Sequence, residues 1–170
     1  PQLFAHPAAY GVAAAQHLEG VEAKPVGFVL HIDGFDTKSV KSYIKLSLDG
    51  YYGGFSAFVF DAKSEGEANV SVYAVADVNA GQSWTADSIT SANAPANDIY
   101  GSGVNLNAVY GNKALDSFAV GTTSKSYVVE LTELTEYMLD RGAEQITLIL
   151  VSDAKNVTTI EIPSGETVTK

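Results

Sequence analysis

Three short acidic turns carry the residues best suited to hold a metal ion. Asp33 and Asp36 bracket Gly34 and Phe35, Glu65 and Glu67 bracket Gly66, and Asp77 stands two residues before Asn79. Carboxylates, Asn side chains and loop carbonyls are the oxygen donors from which Ca²⁺ gathers its ~6–8 ligands. Asp33, Asp36, Asp77 and Asn79 are the preferred ligands, with Glu65 and Glu67 as a further pair. None of these turns has the spacing of an EF-hand loop. A solvated acidic surface that keeps the protein soluble would use the same residues, and both readings stand at this point.

A second constellation is aromatic. Tyr51 and Tyr52 precede Gly53 and Gly54, and Tyr100 and Tyr110 recur in a stretch rich in Asn and Gly. Rings presented on such loops stack on neutral sugars, whereas Tyr at a strand end also packs into a core with its hydroxyl left wet. Asn69-Val-Ser71 and Asn156-Val-Thr158 are acceptor sequons for N-glycosylation.

Catalysis finds no comparable foothold. His6, His17 and His31 are scattered, and the chain has no Cys. Thiolate metal sites, cysteine nucleophiles and disulfides are therefore excluded. The run from Tyr100 to Val104 contains two glycines but lacks the Lys and the following helix of a phosphate-binding loop. No nucleophile and base stand at a useful spacing, so the expectation is a protein without enzymatic activity.

The balance of charge narrows the partners. Ten Lys plus Arg oppose twenty Asp plus Glu, for a formal charge of −10 and a pI near 4.5. Nucleic acids and anionic membrane surfaces would be repelled, which leaves cations, neutral ligands and other proteins. No run of about twenty apolar residues is present to insert into a bilayer. The start at Pro1 reads as a processed or trimmed end.

The elements that must position these residues are mostly strands. Runs rich in β-branched and aromatic residues cover 26–32, 43–48, 55–60, 70–75, 126–131, 145–151 and 157–162, bounded by Gly, Asn, Asp and Ser. Their number and spacing predict an all-β, antiparallel sandwich of jelly-roll type. Ile44, Leu46, Leu48, Val70, Val72, Val129, Leu131, Leu148 and Leu150 are its expected core, since alternating strands bury one face. One short helix is expected over 132–140, with Thr132 as its cap and Gly142 as its stop. Residues 93–112 read as a long irregular loop.

The first eighteen residues stand apart. They carry no formal charge and show no clear alternation, with Pro7 and Gly11 weakening any helix. The chain thus divides into an N-terminal arm, 1–18, and one sandwich domain, 19–170. The arm reads either as the first strand of its own sheet or as a strand donated to a neighbouring subunit. In the second reading Leu3, Phe4, Ala8, Tyr10 and Val12 make the contacts.

The run Trp84-Thr85-Ala86-Asp87-Ser88-Ile89-Thr90-Ser91-Ala92-Asn93-Ala94-Pro95 resembles the signature W-T-E-x-x-I-T-W-x-N-x-P of secreted DNRLRE-type β-sandwich domains, which are similar to family-96 carbohydrate-binding modules. The segments 41–48, 69–75 and 127–137 resemble further strands of that family in the same order. Ser91 stands where the signature has its second Trp, and Ser47 where a strand has Asp. The resemblance implies a secreted sandwich in which Trp84 is structural. Family members include sugar-binding modules, adhesins and surface-layer components, so a neutral polysaccharide is one implied partner. More loosely, a small acidic sandwich with an uncharged arm resembles archaeal cannula and bundling-filament subunits, which implies copies of the chain itself as the partner. The leading expectation is a structural subunit of an extracellular filament or tubule, built by strand donation with Ca²⁺ at subunit contacts. The alternative is a non-catalytic carbohydrate-binding module.

Overall fold

In the computed structural model the backbone alone is described for residues 13–18, 24–25, 29–33, 40, 59 and 159–163. Backbone and side chains are described for residues 41–48, 51, 54–58, 60–85, 88–90, 92–98 and 103–152. The strands are β1 (Ala13–Leu18), β2 (Lys24–Pro25), β3 (Val29–Asp33), β4 (Val40–Ser47), β5 (Ala57–Ser64), β6 (Ala68–Ala74), β7 (Asp116–Val120), β8 (Lys125–Glu130), β9 (Gln145–Ser152) and β10 (Thr159–Pro163). Two α-helices join them, α1 (Val78–Ser83) and α2 (Thr132–Asp140). The ladder runs β7-β6-β9-β4-β3-β10-β5-β8, with β1 beside β4 and β2 beside β1. The described pairings are antiparallel. β5 and β8 form a second sheet, which meets β10 at Ser64 and Lys63. The protein is an all-β antiparallel sandwich.

Every residue of the expected core is buried: Ile44, Leu46, Leu48, Val70, Val72, Val129, Leu131, Leu148 and Leu150 belong to one apolar cluster. Phe58, Phe60 and the α2 residues Leu134 and Met138 close that cluster from the other side. β9 shows why the central strands carry unbroken apolar runs. Ile146, Leu148 and Leu150 face this inner cluster, while Ile149 and Val151 face a second one. A strand covered on both faces has no wet side to spend polar residues on.

The described residues of 93–112 hold no strand or α-helix, as expected of an irregular loop, yet they help to build a second apolar cluster. Between β6 and β7, the described residues of 76–112 fold back over the outer face of β4, β6 and β9. Tyr43, Val75, Ile149 and Val151 receive Trp84, Ile89 and Ala94 from this excursion. It contains α1, where no helix was expected. The Asp77 carboxylate starts that helix by accepting from the Ala80 N–H at 2.7 Å, which satisfies one orphan donor of the first turn. Two 3-10 turns, Leu106–Ala108 and Tyr110–Asn112, follow.

Helix α2 spans the expected residues, but its cap differs. Leu131 holds the capping position without a side-chain bond, because Thr132 Oγ1 is turned to the β5 side, where it accepts from Ser56 N–H at 3.0 Å. The end is as expected. Gly142 adopts φ +78°, with Ala143 N–H bonded to the Met138 carbonyl at 3.0 Å and Gly142 N–H to that of Leu139 at 2.9 Å, the paired bonds of a Schellman stop.

The 1–18 arm is described only over its C-terminal part. Its last six residues are β1, paired with β4 of the same chain from Ala13 opposite Lys45 to Leu18 opposite Val40. The pairing satisfies the main-chain groups along an edge of β4 that would otherwise stay open. Leu3, Phe4, Ala8, Tyr10 and Val12 lie outside the described residues.

Candidate functional site

The sheet register decides which acidic turns can act together. Asp33 ends β3 opposite Val40 on β4 and Thr159 on β10. Ile160, next to Thr159, is opposite Ser64, so the exposed Glu65 and Glu67 turn sits at that same end of the sheet. Asp77 lies at the other end, because Val75 N–H bonds the carbonyl of Thr147, the residue opposite Lys45. From the level of Val40 to that of Asp77 is roughly 20 Å at ~3.3 Å per residue. Asp33 therefore cannot share one ion with Asp77 and Asn79, and the expected four-residue ligand set is divided. Asp77 caps α1 and Asn79 is exposed within it. Asp36 lies outside the described residues. Among the described residues, no three of His, Asp and Glu come together as a metal-binding group.

The aromatic set is divided as well. Tyr51 is half-buried and its hydroxyl donates to the Gly54 carbonyl at 2.6 Å, closing its own turn. Tyr52 and Tyr100 lie outside the described residues. Burial raises the Tyr51 phenol above its ordinary value, the Glu136 carboxylate adds to the rise, and a hydrogen bond with Ser56 opposes it. Glu136→Gln removes the repulsion by a like charge, so the Tyr51 phenolate should form at lower pH in that variant. An NMR titration of ring-labelled tyrosine checks this, and an unmoved Tyr51 would contradict it. Of the two sequons, Asn69 is exposed on β6, and Asn156 lies outside the described residues.

A cleft of about 370 Å³ opens where the second 3-10 turn meets the β8–α2 junction. Tyr110, Lys113, Leu115, Glu130, Thr132 and Glu133 line it. The Tyr110 ring meets Tyr137 edge-on, with centroids 5.0 Å apart, and the Arg141 guanidinium covers the other ring at 3.5 Å. Such a mixture of one aromatic wall with charged and hydroxyl groups suits a neutral, polyhydroxylated ligand. Tyr110 had a signal in the sequence as part of an aromatic series. Lys113, Glu130 and Glu133 had none, since they come from two segments joined only by the fold.

The most constrained polar groups lie elsewhere, under the excursion. Lys41 and Lys45 project from the outer face of β4 and are buried, at 0% and 5% exposure. Lys41 Nζ donates to Asn97 Oδ1 at 2.6 Å and to the Asp98 carbonyl at 3.2 Å. Lys45 Nζ donates to the carbonyls of Gln82, at 3.0 Å, and Trp84, and stands 4.7 Å from the centre of the Trp84 ring. Trp84 Nε1 donates to Thr147 Oγ1 at 2.8 Å, and that hydroxyl donates to the Gly81 carbonyl. Tyr43 completes the set with a hydroxyl bond to the Pro95 carbonyl at 3.0 Å.

Buried ammonium groups are costly unless hydrogen bonds replace water, and here loop carbonyls and a ring face do so. Burial lowers the Lys45 pKa from its ordinary value. The unfolded chain then binds this proton more readily than the folded one. The penalty is fully present at lower pH and is relieved as pH rises toward 10.5, the unfolded value. Trp84, in the run that carries the family resemblance, is thus an internal clamp between excursion and sheet. No protein-family model and no curated protein matches the sequence.

Proposed function

We propose that this chain is a non-enzymatic structural subunit of an extracellular filament or tubule, in which residues 1–12 of one copy add a strand to the sandwich of the next. The register of β1 carries this reading. Ala13 faces Lys45, and β4 ends at Ser47, so 47 − 45 leaves two further pairing positions on β4. Ten further residues precede these in the sequence. They include Leu3, Phe4 and Tyr10, and they bear no formal charge. An acceptor is at hand: among the described residues β7 pairs only with β6, and β8 only with β5. β8 therefore offers an edge on which a peptide can form main-chain bonds, whereas on β7 the Ser117 N–H and the Ala119 carbonyl are already held by Asp116 and Tyr127. The exposed sequon at Asn69 agrees with a secreted glycoprotein.

Ca²⁺ at subunit contacts belongs to the same proposal. With Asp33 and the Glu65–Glu67 turn at one end of the sheet and Asp77 with Asn79 at the other, ligands for one ion would be completed by the adjoining copy. Such an ion stabilises whatever state binds it, by ~2.7 kcal/mol when free Ca²⁺ is a hundredfold above Kd. Excess EDTA should therefore lower the melting temperature of the assembled protein by about 5–10 °C. An unchanged melt removes the ion from the proposal.

The cleft at Tyr110 favours a second reading, a carbohydrate-binding module for a neutral polysaccharide. Negative-stain microscopy of the purified chain, with and without Ca²⁺, separates the two. Fibres formed by the chain alone support the subunit. A monomer at high concentration that is retained on a polysaccharide matrix selects the module.

A further inference from the structure

Lys41 is wholly buried, and its amine meets the side chain of a residue distant in the chain. Nζ lies 2.6 Å from Oδ1 of Asn97, fifty-six residues away in sequence. The amide carbon of Asn97 is one C=O bond from Oδ1, so it lies within about 3.8 Å of the amine. That is close to the ~3–3.5 Å separation of reacting atoms in a near-attack arrangement. Three features make the contact more than a hydrogen bond to a surface loop. Lys41 is fixed in the middle of a sheet, where β1 and β9 flank β4. Asn97 is held by a bridge to Val104 and by its own N–H bonded to the Ala94 carbonyl. Water is excluded from the amine, which is wholly buried with the amide of Asn97 against it.

We propose that Lys41 and Asn97 are joined by an intramolecular isopeptide bond, a covalent modification site that staples the 76–112 excursion to β4. The neutral amine adds to Cγ of Asn97, a C–N bond forms to Nζ, and the bond from Cγ to Nδ2 breaks. Ammonia leaves, carrying the proton that Nζ gives up. One amide replaces another, so no oxidant, reductant or co-reactant is required. The product is a permanent tie in a chain whose lack of Cys denies it disulfides, and it does not depend on whether the chain polymerises.

Intact-mass spectrometry of the purified, folded protein tests this. The chain should weigh about 17 Da less than its sequence requires, the mass of one ammonia. A tryptic digest should yield a branched peptide in which Lys41 is joined to the peptide containing Asn97, and trypsin should not cut after Lys41. Lys41→Arg and Asn97→Ala should each restore the full sequence mass. Should either variant fail to fold, the branched peptide from the parent protein decides alone. A parent protein at full sequence mass overturns the proposal. So does a deficit of ammonia that persists in Lys41→Arg, because this would place a cyclic imide elsewhere in the chain.

Discussion

Replacing Trp84 by Ala should lower the melting temperature by roughly 6–20 °C. A buried Trp or Phe cut to Ala costs ~3–5 kcal/mol, and for a chain of 150–250 residues each kcal/mol moves the midpoint by ~2–4 °C. The large value is expected because the ring does three things at once. It fills the centre of the outer cluster with Tyr43, Ile89 and Ile149, donates Nε1–H to Thr147, and covers the buried ammonium of Lys45. Its loss leaves a cavity beside a charge that has left water, and that charge then has only carbonyls for company. Trp84→Phe separates these effects. It keeps most of the volume and the ring face over Lys45 but loses the N–H, so only about 1 kcal/mol should go. Far-UV circular dichroism melts check both variants. A shift below about 2 °C in Trp84→Ala would mean that the excursion is not clamped to the sheet through this residue.

How far the sequence could lead depends on whether the relevant contacts are local. The inner core was legible because Ile44, Leu46 and Leu48 alternate, and an alternating strand declares its apolar face without reference to any other segment. Helix α2 was legible for the same reason: Leu134 and Met138 are four apart, and Gly142 follows as a stop. The other face of β4 was not. Lys41, Tyr43 and Lys45 have the spacing of a wet face, and they are dry because residues 76–112 come back to cover them. Nothing around Lys41 announces Asn97, and the bonds that make the burial tolerable are long-range in sequence. β7 escaped notice because its apolar face is Phe118 and Val120 alone, too short an alternation to declare a strand. β1 is nearly as featureless, with three Ala in a row, so its place beside β4 comes from main-chain pairing rather than pattern. The acidic turns show the same limit at the level of the site. Each was visible as a loop with oxygen donors. Which of them share an end of the sheet follows from the β4–β9–β6 register, a property of the assembled ladder.

Deleting residues 1–12 should abolish filament formation while leaving a folded, soluble chain. The cut point follows from β1, whose six residues stay on β4 and keep that edge covered. What is lost is the segment proposed to be donated, and with it Leu3, Phe4, Tyr10 and Val12. Burying one large apolar side chain contributes ~1.5–3 kcal/mol. Ordering a free peptide costs ~1–2 kcal/mol per residue, so the net gain from one arm is modest and rests on these few anchors together with main-chain bonds to the open edge. Association constants fall tenfold for every ~1.4 kcal/mol lost, and removing two anchors alone should weaken assembly by about a hundredfold or more. Full deletion should leave no sedimenting polymer at concentrations where the parent polymerises completely. A single Pro in place of Ala8 should act in the same direction, because it removes an N–H from the donated strand and no charge or large side chain is altered. A synthetic peptide of residues 1–12, added to the full-length chain, should occupy the acceptor edges and shorten the fibres. Melting curves of the truncated chain confirm that it is folded before its assembly is judged. Filaments of normal length from that chain would show that the contacts between copies lie elsewhere, and donation of the N-terminal strand would have to be given up.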